Sequence, residues 1–552
     1  MKYLIAIITF LAIGTNLSFA QKEPVLSEVE VFTHQDTLRG TITPERAWWD
    51  VTYYHLSVEV DIKNKKISGS NLVQYKVLSA HQTLQIELQE PLKISKVIQN
   101  KKELSFSKDG YSYFIEIKEK QVVGSTNELT IFYEGEPQES KNPPWSGGLT
   151  WKKDKRGNDW VVTTCQGDGA SLWWPNKDHA YDEPDSMLIS VTVPKYLMDV
   201  SNGQLRSVVE KGGLKTYNWF VSNPINNYGI NMNIGDFVHF NEVYKGLKGD
   251  LECDYYVLRE SLEKAKNQFK EVPRMLAAFE YWFGPYPFYE DGYKLVEVPY
   301  AGMEHQSSVT YGNGFKNGYK GRDVSGTGWG MKFDFIIVHE SGHEWFANNI
   351  THKDVADMWI HESFTSYSEN LFLDYHFGTK ACNEYVKGIR QNILNDRPII
   401  GTYNVHHEGS ADMYYKGANI LHTLRQLVED DELWRSILTG LNKTFYHQTV
   451  TSKQIEDYIS TKSKKDLSAF FNQYLRTKDV PSLEYKMIDN KMEYRYQNVV
   501  DGFDMPIKIF ENDSPHWIFP SQEWDTFTLK DINSTILLDE NFYIEYKELT
   551  VD

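Results

Sequence analysis

The chain has 552 residues, 41% hydrophobic and 24% charged, a composition that excludes a wholly disordered, collagen-like or multi-spanning membrane protein. Its length predicts about three to five domains with ample material for buried cores. Lys and Arg number 58 against 76 Asp and Glu, and the net charge of -18 disfavours nucleic acid as a partner, because phosphate backbones bind cationic surfaces.

The first 20 residues have the three-part pattern of a secretory signal. Lys2 supplies the basic start, residues 3–13 the apolar core, and residues 18–20 (Ser-Phe-Ala) the cleavage site. The apolar run is much shorter than the roughly 20 residues that cross a bilayer, which disfavours a membrane anchor. We therefore expect export to the periplasm or the medium, with a mature chain that begins at Gln21 and has no integral membrane span.

Three cysteines, Cys165, Cys253 and Cys382, are too few for a disulfide framework, although an exported chain enters an oxidising compartment. The stability of the fold therefore has to come from buried apolar surface.

Alternating apolar residues predict an N-terminal β-sheet domain over residues 21–245. The clearest runs are Leu56, Val58, Val60 and Ile62, then Leu84, Ile86 and Leu88, then Leu129, Ile131 and Tyr133. Asn-Lys-Lys at residues 64–66 and Ser-Asn-Gly at residues 201–203 provide turns between such runs, since Asn and Gly tolerate positive φ.

The apolar period becomes helical near Arg259 and stays so, with one interruption, through about Arg476. Pro273 marks a break or a new helix start, and residues 451–454 have the pattern of a capping box. This pattern defines a second domain over residues 246–480. After Pro481 alternation returns, which predicts a small C-terminal β-sandwich over residues 481–552.

The interruption is a glycine-rich segment, residues 312–330, which cannot form a regular helix or a paired strand. A phosphate-binding loop would need Lys-Ser/Thr and a helix start directly after its last glycine, and neither is present. We expect this loop to be a mobile flap over a site.

The motif that carries chemistry is HExxH at residues 339–343. On a helix, His339 and His343 lie one turn apart on the same face, so both imidazoles can bind one Zn²⁺ with Glu340 beside it as general base. The motif alone is only suggestive, because a surface helix can carry two histidines without a metal.

Glu362 is the candidate third ligand. It follows His343 after 18 intervening residues and lies in a second helical run, residues 357–376. Two helices joined by a turn over residues 348–354 are expected to pack antiparallel, which brings Glu362 beside the histidines and leaves a fourth position for water.

Further motifs surround this zinc segment. They are Thr-Thr-Cys-Gln at residues 163–166, Phe-Gly-Pro-Tyr-Pro-Phe at 283–288, Ala-Gly-Met-Glu-His at 301–305, Trp-x-x-Glu-Ser-Phe at 359–364 and Tyr-Tyr-Lys-Gly-Ala at 414–418. Together with HExxH they resemble the gluzincin zinc aminopeptidases of the alanyl aminopeptidase and leukotriene hydrolase type. The resemblance runs from about Val51 into the C-terminal strands.

This resemblance implies an α+β, multidomain fold: an N-terminal β-saddle domain, a thermolysin-like zinc catalytic domain and a small C-terminal β-sandwich. It also implies a metallo-aminopeptidase that holds one Zn²⁺ per chain and releases N-terminal amino acids from peptides with a free N-terminus. A thermolysin-like zinc endopeptidase, which shares the zinc ligands but lacks an anchor for the substrate ammonium, is the alternative. A catalytically silent binding protein would be expected to have lost Glu340 or a metal ligand.

The resemblance also implies roles for individual residues. Tyr414 would donate its hydroxyl to the oxyanion, and Glu304 would bind the α-ammonium of the substrate, helped by the amide oxygen of Gln166. Gly302 and Met303 belong to the same substrate-binding segment. The alternatives from the residues alone are that Tyr414 is a core aromatic, Glu304 a solvated loop carboxylate and Gln166 an ordinary polar strand residue.

The sequence departs from the family pattern at three positions. His305 and His361 stand where the family usually has Asn, and Ser363 stands where it usually has Gly. His305 could carry a positive charge near pH 6, which would oppose binding of a substrate ammonium.

Two further expectations concern the support of the zinc helix. Ser341 and Gly342 are poor helix formers, so close packing against another element is expected to explain their presence. Asp357 either orients a zinc-binding histidine or is an acidic residue at a helix N-terminus.

Overall fold

The structure is a computed structural model that describes residues 31–550; the predicted signal at residues 1–20 lies outside this range. A β-rich N-terminal domain is followed by a central domain of helices around a smaller sheet and then by a C-terminal pair of sheets. This order confirms the predicted α+β, multidomain fold class.

The N-terminal domain is built on an eight-stranded sheet. Its elements are α1 (His34–Gly40), α2 (Pro44–Ala47), β1 (Trp49–Asp61), β2 (Lys66–Val77), β3 (Thr83–Glu87), β4 (Lys93–Gln99), β5 (Lys102–Leu104), β6 (Phe106–Asp109), β7 (Ser112–Glu116), β8 (Thr126–Gly135), β9 (Gly148–Lys153), β10 (Asp159–Thr164), β11 (Ser186–Pro194), β12 (Met198–Val200), β13 (Gln204–Lys211), β14 (Leu214–Val221) and β15 (Asn233–Gly235). The large sheet has the order β13-β14-β11-β1-β2-β8-β4-β5, and β12-β15-β10-β9 and β3-β7-β6 form two smaller sheets. The predicted alternation is visible in β1, where Leu56, Val58 and Val60 are buried and the residues between them are not.

The central domain combines a five-stranded sheet with packed helices. Its elements are β16 (Phe237–Gly246), β17 (Gly249–Leu258), α3 (Leu262–Gln268), α4 (Glu271–Phe283), β18 (Tyr293–Glu297), β19 (Gly302–Met303), β20 (Val309–Tyr311), α5 (Phe335–Gly342), β21 (Ile350–His352), α6 (Trp359–Phe377), α7 (Thr379–Ile389), α8 (Tyr415–Val428), α9 (Asp431–Thr444), β22 (Gln448–Val450), α10 (Ser452–Ser463) and α11 (Ser468–Arg476). The sheet has the order β16-β17-β18-β20-β19, which leaves β19 at an edge. The predicted boundary after residue 245 falls one residue before the end of β16, whereas the pairing of β16 with β17 groups β16 with the strands that follow it.

Local sequence explains where several of these helices begin. Pro273 lies in the first turn of α4, where a missing N–H costs little, so it marks a new helix start as predicted. Thr451 and Gln454 form the predicted capping box at the start of α10. The side chain of Asp334 accepts hydrogen bonds from the backbone N–H groups of Ile336 and Ile337 and thereby starts α5.

The C-terminal part contains two sheets, as the predicted β-sandwich requires. Its strands are β23 (Ser482–Ile488), β24 (Lys491–Gln497), β25 (Ile507–Glu511), β26 (Ser514–Ile518), β27 (Asp525–Thr528), β28 (Ile536–Leu538) and β29 (Glu545–Glu548), in the orders β27-β24-β23-β29 and β26-β25-β28. Its apolar side chains share one buried cluster with the central domain, whereas most of the N-terminal domain has a cluster of its own.

Cys165, Cys253 and Cys382 are buried and unpaired, as expected from their number. Within the described range no helix has the length and the apolar character that a bilayer crossing requires.

Candidate active site

Helices α5 and α6 bring the two histidines of HExxH together with Glu362. The Nε2 atoms of His339 and His343 lie 3.7 Å and 3.4 Å from Glu362 Oε2, and all three side chains are buried. One donor atom from each residue therefore lies within 4.8 Å of the other two. The three residues predicted to bind one metal ion are thus placed where one ion can contact all of them.

The two helices run antiparallel, because residues later in α5 contact residues earlier in α6. His339 Nδ1 lies 2.8 Å from Glu369 Oε1, whereas His343 Nδ1 lies 3.1 Å from Thr365 Oγ1. A Cβ atom on Gly342 would lie only 2.6 Å from Ser368 Oγ. The close packing expected at Gly342 is therefore present, and it allows α5 to approach α6.

The donor atoms of this cluster fit a zinc ion. Glu369 accepts a hydrogen bond from Nδ1 of His339, and the Phe346 carbonyl accepts one from Nδ1 of His343. Each ring therefore keeps its proton at Nδ1 and directs an unprotonated Nε2 towards Glu362. Glu362 Oε2 is buried and receives no hydrogen bond from the described residues. Two imidazole nitrogens and one carboxylate oxygen are the protein ligands of a catalytic zinc site that keeps a fourth position open.

Glu369 is a functional candidate that the sequence analysis missed. It follows Glu362 by seven residues, two helical turns along the same face of α6, and this spacing could have identified it. Asp357 does not orient a zinc-binding histidine. It accepts hydrogen bonds from Tyr403 and from the backbone N–H of Ser452 at the start of α10. Asp357 is thus an acidic residue at a helix N-terminus, but the helix is α10 and not α6, which follows Asp357 directly in the sequence.

We expect Glu369→Gln to weaken zinc binding by about 10- to 100-fold, because the charge that orients His339 and raises its basicity is lost. Competition with a chelator measures the zinc affinity. Asp357→Asn is the matched control, since it neutralises a buried carboxylate that touches no histidine; an equal loss of zinc affinity in both variants would contradict the assignment.

Glu340 lies beside the cluster with its carboxyl buried. Burial and the nearby Glu304 carboxylate raise the pKa of Glu340 above its ordinary value, against the opposing charge of the neighbouring histidines. A Cβ atom on Gly302 would lie 3.0 Å from Glu340 Cγ and 2.5 Å from Ile336 Cγ2. Glycine at position 302 therefore lets the edge strand β19 approach α5 at the glutamate.

Glu304 directly follows β19 and points into the same cavity. Its Oε1 accepts hydrogen bonds from Gln166 Nε2 at 2.7 Å and from the hydroxyl of Tyr228 at 3.2 Å. Burial raises the pKa of Glu304 above its ordinary value. Met303 packs into a separate cluster with Val162, because neighbouring residues of a strand face opposite sides, and it does not line the cavity.

Gln166 contacts two carboxylates through its amide nitrogen. Nε2 donates to Glu304 Oε1 and, at 2.8 Å, to Glu362 Oε1. The amide nitrogen, and not the oxygen, faces both carboxylates, because carboxylates are hydrogen-bond acceptors. The contact of the amide oxygen with a substrate ammonium stays a prediction. Gln166 thus links the candidate ammonium anchor with the candidate metal ligand.

Tyr414 lies at the metal cluster, immediately before α8. Its ring is stacked on His339 with 6.2 Å between the ring centroids, and burial together with the charge of Glu362 raises the pKa of its hydroxyl well above the ordinary value. Ser363 Oγ donates to the carbonyl of Met413 at 2.7 Å and so fixes the backbone next to Tyr414. Tyr415 also lines the cavity, and burial together with the charge of Glu369 raises the pKa of its hydroxyl to about 12.

His305 cannot carry the charge considered from the sequence. Its side chain is completely buried, and burial lowers its pKa to about 3. The ring is therefore neutral near pH 6, and its Nδ1 contacts Thr310 Oγ1 at 3.3 Å. Repulsion of a substrate ammonium by His305 is excluded.

The three candidate metal ligands line a cavity of about 400 Å³ together with Glu340, Glu304, Gln166 and Tyr414. Trp145 from the N-terminal domain and Leu394 from the segment after α7 lie at its rim, where they are 68% and 66% exposed. Tyr319 of the glycine-rich loop also lines it, which places that predicted loop beside the site. The loop forms only isolated bridges between residues 312 and 328, and its mobility stays a prediction.

An HExxH helix packed against a glutamate-bearing helix defines the gluzincin class of metal site. Two family models match this chain, the peptidase M1 N-terminal domain over residues 51–228 and the peptidase family M1 domain over residues 268–474. The chain belongs to peptidase family M1.

Relatives with known names are distant in sequence. Probable aminopeptidase 1 of Sulfurisphaera tokodaii is 22% identical over 379 residues, which cover 65% of this chain and 45% of that protein. Leukotriene A-4 hydrolase of Xenopus laevis is 23% identical over 478 residues, which cover 80% of this chain and 74% of that protein. The chain spans 38% of the length of probable aminopeptidase 2 of Sulfurisphaera tokodaii.

Among solved structures, the M1 zinc metallopeptidase of Deinococcus radiodurans superimposes with a TM-score of 0.65 at 20% identity, over 78% of this chain and 95% of that one. This similarity supports the fold.

Proposed function

We propose that the protein is a zinc-dependent aminopeptidase that removes single amino acids from the free N-terminus of peptides. The observation that carries this proposal is the position of Glu304, a buried carboxylate that shares one cavity and one hydrogen-bond donor, Gln166, with the candidate zinc cluster. The names of its relatives, which include two probable aminopeptidases, support the same conclusion.

His339, His343 and Glu362 would hold one Zn²⁺, which when bound lowers the pKa of a water molecule and polarises the scissile carbonyl. Glu340 accepts the proton of the attacking water and passes it to the leaving amine. The hydroxyl of Tyr414 donates a hydrogen bond to the oxyanion that develops on the carbonyl oxygen. These five side chains and the metal account for cleavage of the peptide bond.

Removal of one residue at a time also requires a group that fixes the distance from the chain end to the scissile bond. Glu304 does this by accepting a charge-assisted hydrogen bond from the substrate ammonium, worth roughly 1.5 to 3 kcal/mol. An acetylated N-terminus would leave the Glu304 carboxylate buried without its partner, which adds a penalty to the lost attraction. The comparisons give no support to the endopeptidase alternative, which has no use for such an anchor.

The test compares peptides with free and acetylated N-termini. In the native protein we expect acetylation to lower kcat/KM by at least about 100-fold. The Glu304→Ala variant is expected to lose most of its activity on free N-termini and most of its discrimination against acetylated ones. Activity is measured with aminoacyl-fluorophore substrates and matched peptides, with and without a chelator. Equal cleavage of both kinds of peptide by the native protein would favour the endopeptidase.

We also propose that the protein is exported, on the evidence of the signal pattern in residues 1–20. N-terminal sequencing of the protein recovered outside the cytoplasm tests this: a chain that starts at Gln21 is expected, and an intact Met1 would contradict it.

A further inference from the structure

The carboxylate of Glu304 has a second donor besides Gln166. Tyr228 lies in a 3-10 turn, Asn227–Gly229, of the N-terminal domain, and its hydroxyl donates to Glu304 Oε1 at 3.2 Å. These two side-chain donors therefore bind the same oxygen of Glu304. Among the residues that the structure describes, no side chain donates to Oε2, so this oxygen is the acceptor for a ligand in the cavity.

His361 determines which way the Tyr228 hydroxyl points. The backbone N–H of His352 donates to His361 Nε2 at 2.8 Å, so this nitrogen carries no proton and the ring is a donor at Nδ1. Nδ1 lies 3.5 Å from the Tyr228 oxygen. With a donor on that side, the proton of the hydroxyl is directed to Glu304.

The turn that carries Tyr228 is tied to the segment that carries Glu304. Asn226 Nδ2 donates to Asn348 Oδ1 at 3.0 Å, and Asn348 Nδ2 donates to the backbone carbonyl of Glu304 at 2.9 Å. Asn227 Nδ2 donates to the carbonyl of Lys177 at 2.6 Å. The hydroxyl and the carboxylate are therefore held at a fixed separation by hydrogen bonds on both sides.

We propose that Tyr228, oriented by His361, is a positioning residue for the substrate ammonium, because it holds Glu304 Oε1 and so presents Oε2 to the amine. This inference rests on the proposed aminopeptidase function. It adds Tyr228 of the N-terminal domain and His361 of the central domain to the recognition of the substrate N-terminus. Both residues lie outside the Ala-Gly-Met-Glu-His motif at residues 301–305 that contains Glu304.

The consequence is a preorganised anchor. A carboxylate with both oxygens free can rotate, and a ligand that binds it must then order it. With Oε1 fixed by two donors, the substrate ammonium meets an acceptor that is already in place.

The test is Tyr228→Phe, which removes one hydroxyl and keeps the ring. For substrates with a free N-terminus we expect KM to rise by about 10-fold with a smaller change in kcat, and the preference for free over acetylated peptides to fall by a similar factor. Calorimetry with L-phenylalanine amide and its N-acetyl form, on zinc-loaded protein that also carries Glu340→Gln, measures the same preference without turnover.

Tyr300→Phe is the matched control, because the Tyr300 hydroxyl is buried nearby but bonds to the Thr163 carbonyl and Thr310. It is expected to keep the native preference for free N-termini. At position 361, Asn retains a donor near the former Nδ1 and should preserve that preference better than Gln, whose donor lies further along the side chain.

The outcomes separate the inference from the function on which it rests. If the native protein cleaves free and acetylated peptides equally, the aminopeptidase proposal fails. If the native protein discriminates and Tyr228→Phe discriminates to the same extent in both kinetics and calorimetry, the aminopeptidase stands and the role of Tyr228 is refuted. If Tyr300→Phe loses the preference as strongly as Tyr228→Phe, the effect is a general one of the buried cluster and the inference is also refuted.

Discussion

A Glu340→Gln protein is expected to retain one zinc per chain and to lose at least about 100-fold in kcat. The three candidate ligands, which contact each other across α5 and α6, are untouched by this change. The amide keeps the volume of the side chain beside Gly302 but cannot accept a proton. Metal analysis of the purified variant, together with its kcat, decides the result.

Glu344→Gln provides the control for this experiment. Glu344 is a buried glutamate only four residues further along the chain, but it accepts a hydrogen bond from the backbone of Ser307 and does not line the cavity. Near-native turnover is expected for it. Loss of zinc from Glu340→Gln, or an almost unchanged rate with zinc retained, would contradict the role of Glu340 as proton acceptor.

Tyr414→Phe is expected to lower kcat far more than it raises KM. A donor aimed at the developing oxyanion acts mainly in the transition state, where one such hydrogen bond is worth about 3 to 4 kcal/mol, or about 100- to 1000-fold in rate. Steady-state kinetics on one aminoacyl-fluorophore substrate measures both parameters.

The neighbouring tyrosine makes this prediction discriminating. Tyr415 lines the same cavity, but the charge that acts on its hydroxyl is that of Glu369, whereas Glu362 acts on Tyr414, so Tyr415→Phe should have a mild effect on kcat. Reversal of the two effects would show that the wrong tyrosine has been assigned to the oxyanion.

The parts of the site that could be predicted from the sequence are those fixed by local periodicity. His339 and His343 share a helix face because they are four residues apart, and the second helix needed only a short connection to bring Glu362 to them. The turn residues, the capping box at Thr451 and the alternating strands are local signals of the same kind. Each of them has a counterpart in the structure.

The parts that could not be predicted depend on contacts between distant segments. Burial of His305, which keeps its ring neutral, is a property of the assembled core and leaves no mark in the sequence around it. The orientation of the Gln166 amide depends on two carboxylates that lie 138 and 196 residues away. The contacts of Asp357 are likewise with residues far along the chain, so its spacing from Glu362 carried no information about them.

The positions of two residues, Glu369 and Met303, could have been predicted from local periodicity but were not. Glu369 lies two helical turns after Glu362, and Met303 lies between two residues that face the cavity from a strand edge. Applying the helix period to the first and the strand period to the second would have placed Glu369 beside His339 and Met303 on the far side of β19.

The two hydrogen bonds from Gln166 to Glu304 and Glu362 affect the order in which partial unfolding would remove the protein's properties. The amide belongs to the N-terminal domain, whereas the two carboxylates and both histidines belong to the central one, whose core is separate. Mild heat or denaturant that loosens the contact between the domains should therefore weaken the proposed recognition of a free N-terminus, while the candidate zinc ligands and Glu340 are still in place. Partly destabilised preparations would then be expected to become less faithful exopeptidases before they become inactive ones.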